Sequence, residues 1–122
     1  MSVAVLLVED SPTMRLLLEE IVMSDPRLEL AGACSSGEEA LEFLRTRRPD
    51  VVSMDILLPG IDGLETTRRL LEEMPVPVVV VSATTSSHET RHAIEALHAG
   101  ALAVLPKPEG PGSPLFEKHR KK

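Results

Sequence analysis

At 122 residues, with 43% hydrophobic and 26% charged side chains, the chain has the length and composition of one globular domain with a real core. A formal net charge of -6 argues against a general nucleic-acid or anionic-membrane binder, although Lys118 to Lys122 is locally basic. The only aromatics are Phe43 and Phe116, too few for a base- or sugar-stacking platform, and the lone Cys34 has no partner for an internal disulfide, which fits a reducing cytoplasm.

Val3 to Val8 is a continuous apolar run, the pattern of a strand covered on both faces and too short for a membrane span or a signal segment. It ends in Glu9-Asp10-Ser11-Pro12, where Ser11 is a good N-cap and Pro12 suits a first helical position. Met14, Leu17, Leu18 and Ile21 form the helical stripe that follows, and Asp25-Pro26 stops it. Leu28 to Ala33 reads as a second strand. Ser36 and Glu39 have capping-box spacing, with Ala40, Leu41 and Leu44 as the inner face of the next helix. Val51 to Asp55 is a brief β-branched run bounded by Pro49-Asp50 and Pro59-Gly60, hence a third strand ending on a carboxylate. A third helix is expected over roughly Leu64 to Glu73, with Leu64, Leu71 and Met74 inward. Val76 to Ser82 is a fourth buried strand that runs into the hydroxyl cluster Ser82-Ala83-Thr84-Thr85. Ser86 and Glu89 offer another capping box, and Thr90, Ile94, Leu97 and Ala101 define the inner face of a fourth helix. Ala101 to Leu105 is the fifth strand, closed by Pro106-Lys107-Pro108.

Five buried strands alternating with helices indicate an α/β fold with a parallel sheet wrapped on both sides. After residue 108 the composition changes. Residues 109–114 read as a Gly/Pro linker and 115–122 as the beginning of a further helix, so the expected organisation is a domain over 1–108 followed by a connector over 109–122.

In a parallel sheet the carboxyl ends of the strands share one edge, where open α/β sheets bind ligands. Glu9, Asp10, Asp55, Ser82 and Lys107 all fall on that edge. Crowded carboxylates repel unless a cation or proton intervenes, and an all-oxygen set suits a hard divalent ion such as Mg²⁺. With the Lys107 ammonium and the Ser82 hydroxyl, these residues make a site suited to carrying a phosphoryl group on one of its own carboxylates. Taken singly, each has a blander reading as a helix cap, a solvated turn or a surface charge. The argument rests on their convergence.

This constellation resembles the response-regulator receiver domain of two-component signalling. The resemblance is carried by Glu9-Asp10, by Met54-Asp55 with Pro59 and Gly63, by Ser82-Ala83 and by Lys107-Pro108, and it spans residues 3–108. It implies a flavodoxin-like (CheY-like) doubly wound five-stranded parallel sheet of order 2-1-3-4-5. It further implies that Asp55 accepts a phosphoryl group from a sensor histidine kinase. Glu9, Asp10, Asp55 and the backbone carbonyl of Leu57 would hold Mg²⁺, while Ser82 and Lys107 would bind phosphoryl oxygens. Small Ala83 would leave access open, and the Lys107–Pro108 bond would be cis. The family commonly places an aromatic three residues before the lysine, and Val104 stands there instead. Residues 75–82 and 99–108 further resemble the receiver of chemotaxis protein-glutamate methylesterases. That likeness implies an output methylesterase domain beyond Lys122, while the acidic charge and the shortness of the first apolar run lead us to expect no direct contact with nucleic acid and no insertion into membranes.

His88-Glu89-Thr90-Arg91-His92 spells a zinc-protease signature, with His98 at third-ligand spacing. On an unbroken helix, however, His98 lies about 9 Å further along than His92 and about 120° around, too far to share an ion. A flavodoxin-like FMN binder would cradle phosphate with hydroxyls and amides where this chain has Glu9 and Asp10. A haloacid-type phosphatase would carry a second Asp two residues after Asp55, where Leu57 stands. A receiver-like module that binds partners without being phosphorylated stays open on sequence grounds.

Overall fold

The computed structural model describes residues 2–56, 58–82 and 94–107, with the side chain of Ser82 outside that description. The expectations for the Leu57 carbonyl, Ala83, the Ser86–Glu89 capping box, Thr90, His88, His92, the Lys107–Pro108 bond and residues 109–122 all lie outside the described residues. Strands β1 (Val3–Val8), β2 (Leu28–Cys34), β3 (Val51–Asp55), β4 (Val78–Ser82) and β5 (Ala103–Pro106) alternate with helices α1 (Pro12–Met23), α2 (Gly37–Phe43) and α3 (Gly63–Glu73). Residues 94–99 are also helical. The five strands pair in parallel in the order β2-β1-β3-β4-β5, the sheet read from sequence.

Side chains alternate across a strand, so β1 feeds two cores. Leu6 and Val8 join Val52, Met54, Val78 and Val80 in the larger cluster, against Ala40 of α2, its C-cap Leu44 and Leu70 of α3. Val5 and Leu7 join Val22 on the opposite face, where Leu18 of α1 also packs. Each fully buried aliphatic side chain contributes about 1.5–3 kcal/mol, which is why the β-branched runs set the architecture.

The caps follow the sequence with one local change. Ser11 accepts from the Met14 N–H at 3.3 Å and Ser36 from the Glu39 N–H at 3.1 Å. The Glu39 carboxylate reaches past the cap residue to the Ser35 N–H and hydroxyl, at 3.0 and 2.9 Å, so the capping box closes one residue early. Asp62, just ahead of α3, caps that helix by accepting from the Glu65 N–H at 2.8 Å.

Two inner faces differ from expectation. In α1 the buried residues are Leu17 and Val22. In the helical segment 94–99, Ala96 is fully buried, whereas Ile94 and Leu97 are each about half exposed. The small alanine side lets the helix approach the sheet closely and leaves the larger aliphatics on its flank. Strand β5 begins two residues later than expected because Gly100, at φ +111°, turns the chain there, and the Ala101 N–H bonds back to Ala96 O at 3.0 Å.

Candidate functional site

The carboxyl edge of the sheet gathers side chains from three strand ends. Glu9 follows β1, where its backbone N–H continues the pairing by donating to Cys34 O at 2.9 Å. Asp55 is the last residue of β3 and Lys107 the first after β5. Their side chains meet: Lys107 Nζ donates to Asp55 Oδ2 at 3.2 Å and lies 3.3 Å from Glu9 Oε1. Asp10 completes the group, and one carboxylate oxygen from each of Glu9, Asp10 and Asp55 lies within 4.8 Å of the others. Glu9 and Asp55 are buried and Asp10 is exposed, so the cluster opens to solvent on one side.

The site concentrates negative charge. Burial raises the Glu9 carboxyl from its ordinary range to about 7; the nearby Asp55 carboxylate adds to the rise, which the Ser11 N–H and Lys107 oppose. Burial also disfavours the Lys107 ammonium, but Asp55 and Glu9 outweigh it and hold this lysine above its usual value. Glu9 Oε2 accepts the Ser11 N–H at 3.1 Å. Glu9 Oε1, by contrast, is buried with only the ion-pair approach of Lys107 and no hydrogen bond. Three carboxylates gathered around one ammonium leave negative charge that an additional cation would offset. The donor set, all oxygen and three carboxylates deep, suits a hard divalent ion.

Among the sequence-predicted residues, the fold brings Glu9, Asp10, Asp55 and Lys107 together. The Ser82 backbone lies at the end of β4, opposite Pro106 in the pairing with β5. Val104 is partly buried against the larger core. His98 is exposed on the helical segment 94–99. Two further residues have no forecast in the sequence reading. Arg15 Nη1 donates to Glu9 O at 3.1 Å, tying α1 to the loop that carries the acid pair. A basic residue in the first turns of a helix, against the dipole, was the available signal that it is held elsewhere. Glu38 in the first turn of α2 accepts the Ile61 N–H at 3.2 Å, in the loop that follows Asp55.

A five-stranded parallel sheet of this order, with an acidic cluster and a lysine at its carboxyl edge, defines a signalling receiver. A family model of the response regulator receiver domain matches residues 5–115, and the chain belongs to that family. It is 52% identical over 106 residues to a protein-glutamate methylesterase/protein-glutamine glutaminase of Syntrophus aciditrophicus (strain SB), a match that covers 87% of this chain and 30% of that protein. The chain thus spans about a third of the length of the curated relatives it matches. The response regulator domain of Thermotoga maritima CheB superposes with a TM-score of 0.83 at 34% identity, covering 99% of this chain and 90% of that one. CheY6 from R. sphaeroides, crystallised with the P1 domain of CheA3, is also similar, with a TM-score of 0.79 and 28% identity over 99% of this chain and 95% of that structure's. The chain is therefore a response regulator receiver domain, similar to that of CheB. Among the described residues, no helix is long and apolar enough to cross a membrane.

Proposed function

We propose that the chain is a phosphorylation switch in which Asp55 is the phosphoacceptor. The observation that carries this reading is the meeting of Asp55, Glu9 and Lys107 at 3.2 and 3.3 Å beside Asp10. In the transfer, an Asp55 carboxylate oxygen forms the new P–O bond as the P–N bond of a histidine-kinase phosphohistidine breaks, and the imidazole leaves with the bonding electron pair. Lys107 offsets the charge on the phosphoryl oxygens, assisted by the Ser82 hydroxyl. Glu9, Asp10, Asp55 and the Leu57 carbonyl would hold Mg²⁺, which supplies further charge compensation when bound. The likeness to a receiver crystallised with a CheA P1 domain supports a sensor histidine kinase as donor, and the lone Cys34 fits the cytoplasm.

Residues 1–108 then form the receiver and 109–122 the connector to an output domain beyond Lys122, a methylesterase by likeness to the relatives. Adding about two negative charges at Asp55 draws Ser82 and Lys107 inward and alters the surface of the fourth helix and fifth strand. On that surface Ile94, Leu97, Leu102 and Leu105 are each at least half exposed, the apolar material that a covering domain requires.

The test is intact-mass spectrometry after incubation with acetyl phosphate, with and without Mg²⁺, on the native chain and on Asp55→Asn. A single Mg²⁺-dependent phosphoryl adduct on the native chain, absent from the variant, is expected. No adduct under any condition would defeat the reading and favour a module that binds partners without phosphorylation.

A further inference from the structure

The loop between β3 and α3 begins directly after Asp55 and carries residue 57, and its two ends are held in different ways. Its base is closed by backbone: the Gly63 N–H donates to Ile56 O at 2.8 Å, and a Cβ at residue 63 would collide with the Asp55 carbonyl. Its outer part turns at Gly60, with φ +70°, and is exposed. Here a second element takes over. Glu38, from the first turn of α2, accepts the Ile61 N–H through Oε2 at 3.2 Å. The same oxygen lies 2.5 Å from where a Cβ on residue 60 would sit, so the carboxylate fills the space beside the turn. The preceding Gly37 is buried against Ile61 and Thr66, and the Thr66 hydroxyl donates to Asp62 O at 2.7 Å. The first turn of α2 thus grips the loop along residues 60–61 and meets the start of α3.

Glu38 is exposed, and at this position nothing in the core requires an acid. A favourable interaction with the helix N-terminus accounts for a negative charge in the first turn of α2, but not for its aim at the backbone of another element. Without that bond, the tip of a short Gly/Pro loop regains backbone freedom close in sequence to the carboxylate whose placement matters most.

We propose that Glu38 is a positioning residue for the phosphoacceptor site, acting through the Ile61 backbone to hold residues 58–62 of the β3–α3 loop in place and so strengthen Mg²⁺ binding at the neighbouring carboxylates. The inference rests on the phosphoacceptor reading above. What it requires of Glu38 is the hydrogen-bond acceptor, not the charge.

The test is isothermal titration of the 122-residue chain with Mg²⁺, alongside thermal unfolding without Mg²⁺, for the native chain, Glu38→Ala and Glu38→Gln. Glu38→Ala should bind Mg²⁺ about tenfold more weakly, at the lower end for groups that orient metal ligands, with an unfolding midpoint close to that of the native chain. Its phosphorylation by acetyl phosphate should be slow at limiting Mg²⁺ and recover at saturation. Glu38→Gln, whose amide oxygen accepts the same N–H, should bind Mg²⁺ like the native chain. Native affinity in Glu38→Ala would overturn the proposal. So would equal weakening in Glu38→Gln, which would show that charge alone acts. A native chain that neither binds Mg²⁺ nor forms the adduct would instead defeat the phosphoacceptor reading itself.

Discussion

Gly63→Ala probes the closest approach between a helix and the strand that carries Asp55. A Cβ at residue 63 would meet only backbone: Asp55 C and Ile56 Cα at 2.8 Å, with the Asp55 carbonyl oxygen nearer still. Bringing those carbons to an ordinary 3.4 Å contact requires a displacement of at least about 0.6 Å, and the oxygen demands more. No flexible side chain is available to absorb the shift. The start of α3 must retreat, which stretches the 2.8 Å bond from the Gly63 N–H to Ile56 O beyond useful range. Overpacking of this kind costs about 1–3 kcal/mol and the lost buried bond about 1 kcal/mol more, so a destabilisation of about 3 kcal/mol is expected. For a domain of this size that lowers the unfolding midpoint by roughly 10–15 °C. Urea unfolding followed by far-ultraviolet circular dichroism is the suitable assay, since the chain has neither Trp nor Tyr. Gly32→Ala is the control: its new methyl would meet the ring edge of Phe43 at 2.7 Å, a side chain that can rotate away, for about 1 kcal/mol or less. If Gly63→Ala cost no more than Gly32→Ala, the close backbone contact would not be the constraint described.

Two further outcomes follow from individual side chains. Among the described residues the Thr67 hydroxyl, fully buried in α3, has no hydrogen-bond partner, so the near-isosteric Thr67→Val should leave stability unchanged or raise it by about 1 kcal/mol in the same urea assay; a loss of comparable size would refute this. The hydrogen bonds from Arg27 hold the Asp25 carboxyl at about 2, below its ordinary 3.8. The folded chain therefore takes up this proton less readily than the unfolded chain, and the contribution to stability is complete above pH 3.8 and disappears as pH falls through 2. Carboxyl-carbon NMR across an acid titration should place the Asp25 midpoint well below 3.8, and Arg27→Ala should return it to the ordinary range.

The strands were legible because parallel strands buried on both faces must be continuous apolar runs, and Val3–Val8 and Val78–Ser82 contain little else, whereas their order came with the family resemblance, since an apolar run does not fix its neighbours. The helix starts were legible because Ser11 and Ser36 lie immediately before apolar stripes. Glu9, Asp10, Asp55 and Lys107 could be grouped without coordinates, since strand ends of one parallel sheet share an edge. Less legible was which flank of a short helix faces inward: periodicity weights Leu97 above Ala96, while close packing prefers the smaller residue. Arg15 and Glu38 escaped for a different reason. Each long side chain bonds to a backbone atom outside its own helix, and backbone atoms leave no pattern in a sequence.

Lys107 hangs from β5, the edge strand, which is bonded to the sheet through β4 alone. The acids belong to β1 and β3, which have neighbours on both sides. The positive member of the cluster is thus mounted beside an edge strand, and the negative members on or beside strands paired on both sides. Loosening four residue pairs, Ala103 to Pro106 against Val79 to Ser82, would withdraw the ammonium and leave the carboxylates to repel one another. The cohesion of the last strand and the electrostatic balance of the pocket are therefore linked through a single side chain, Lys107.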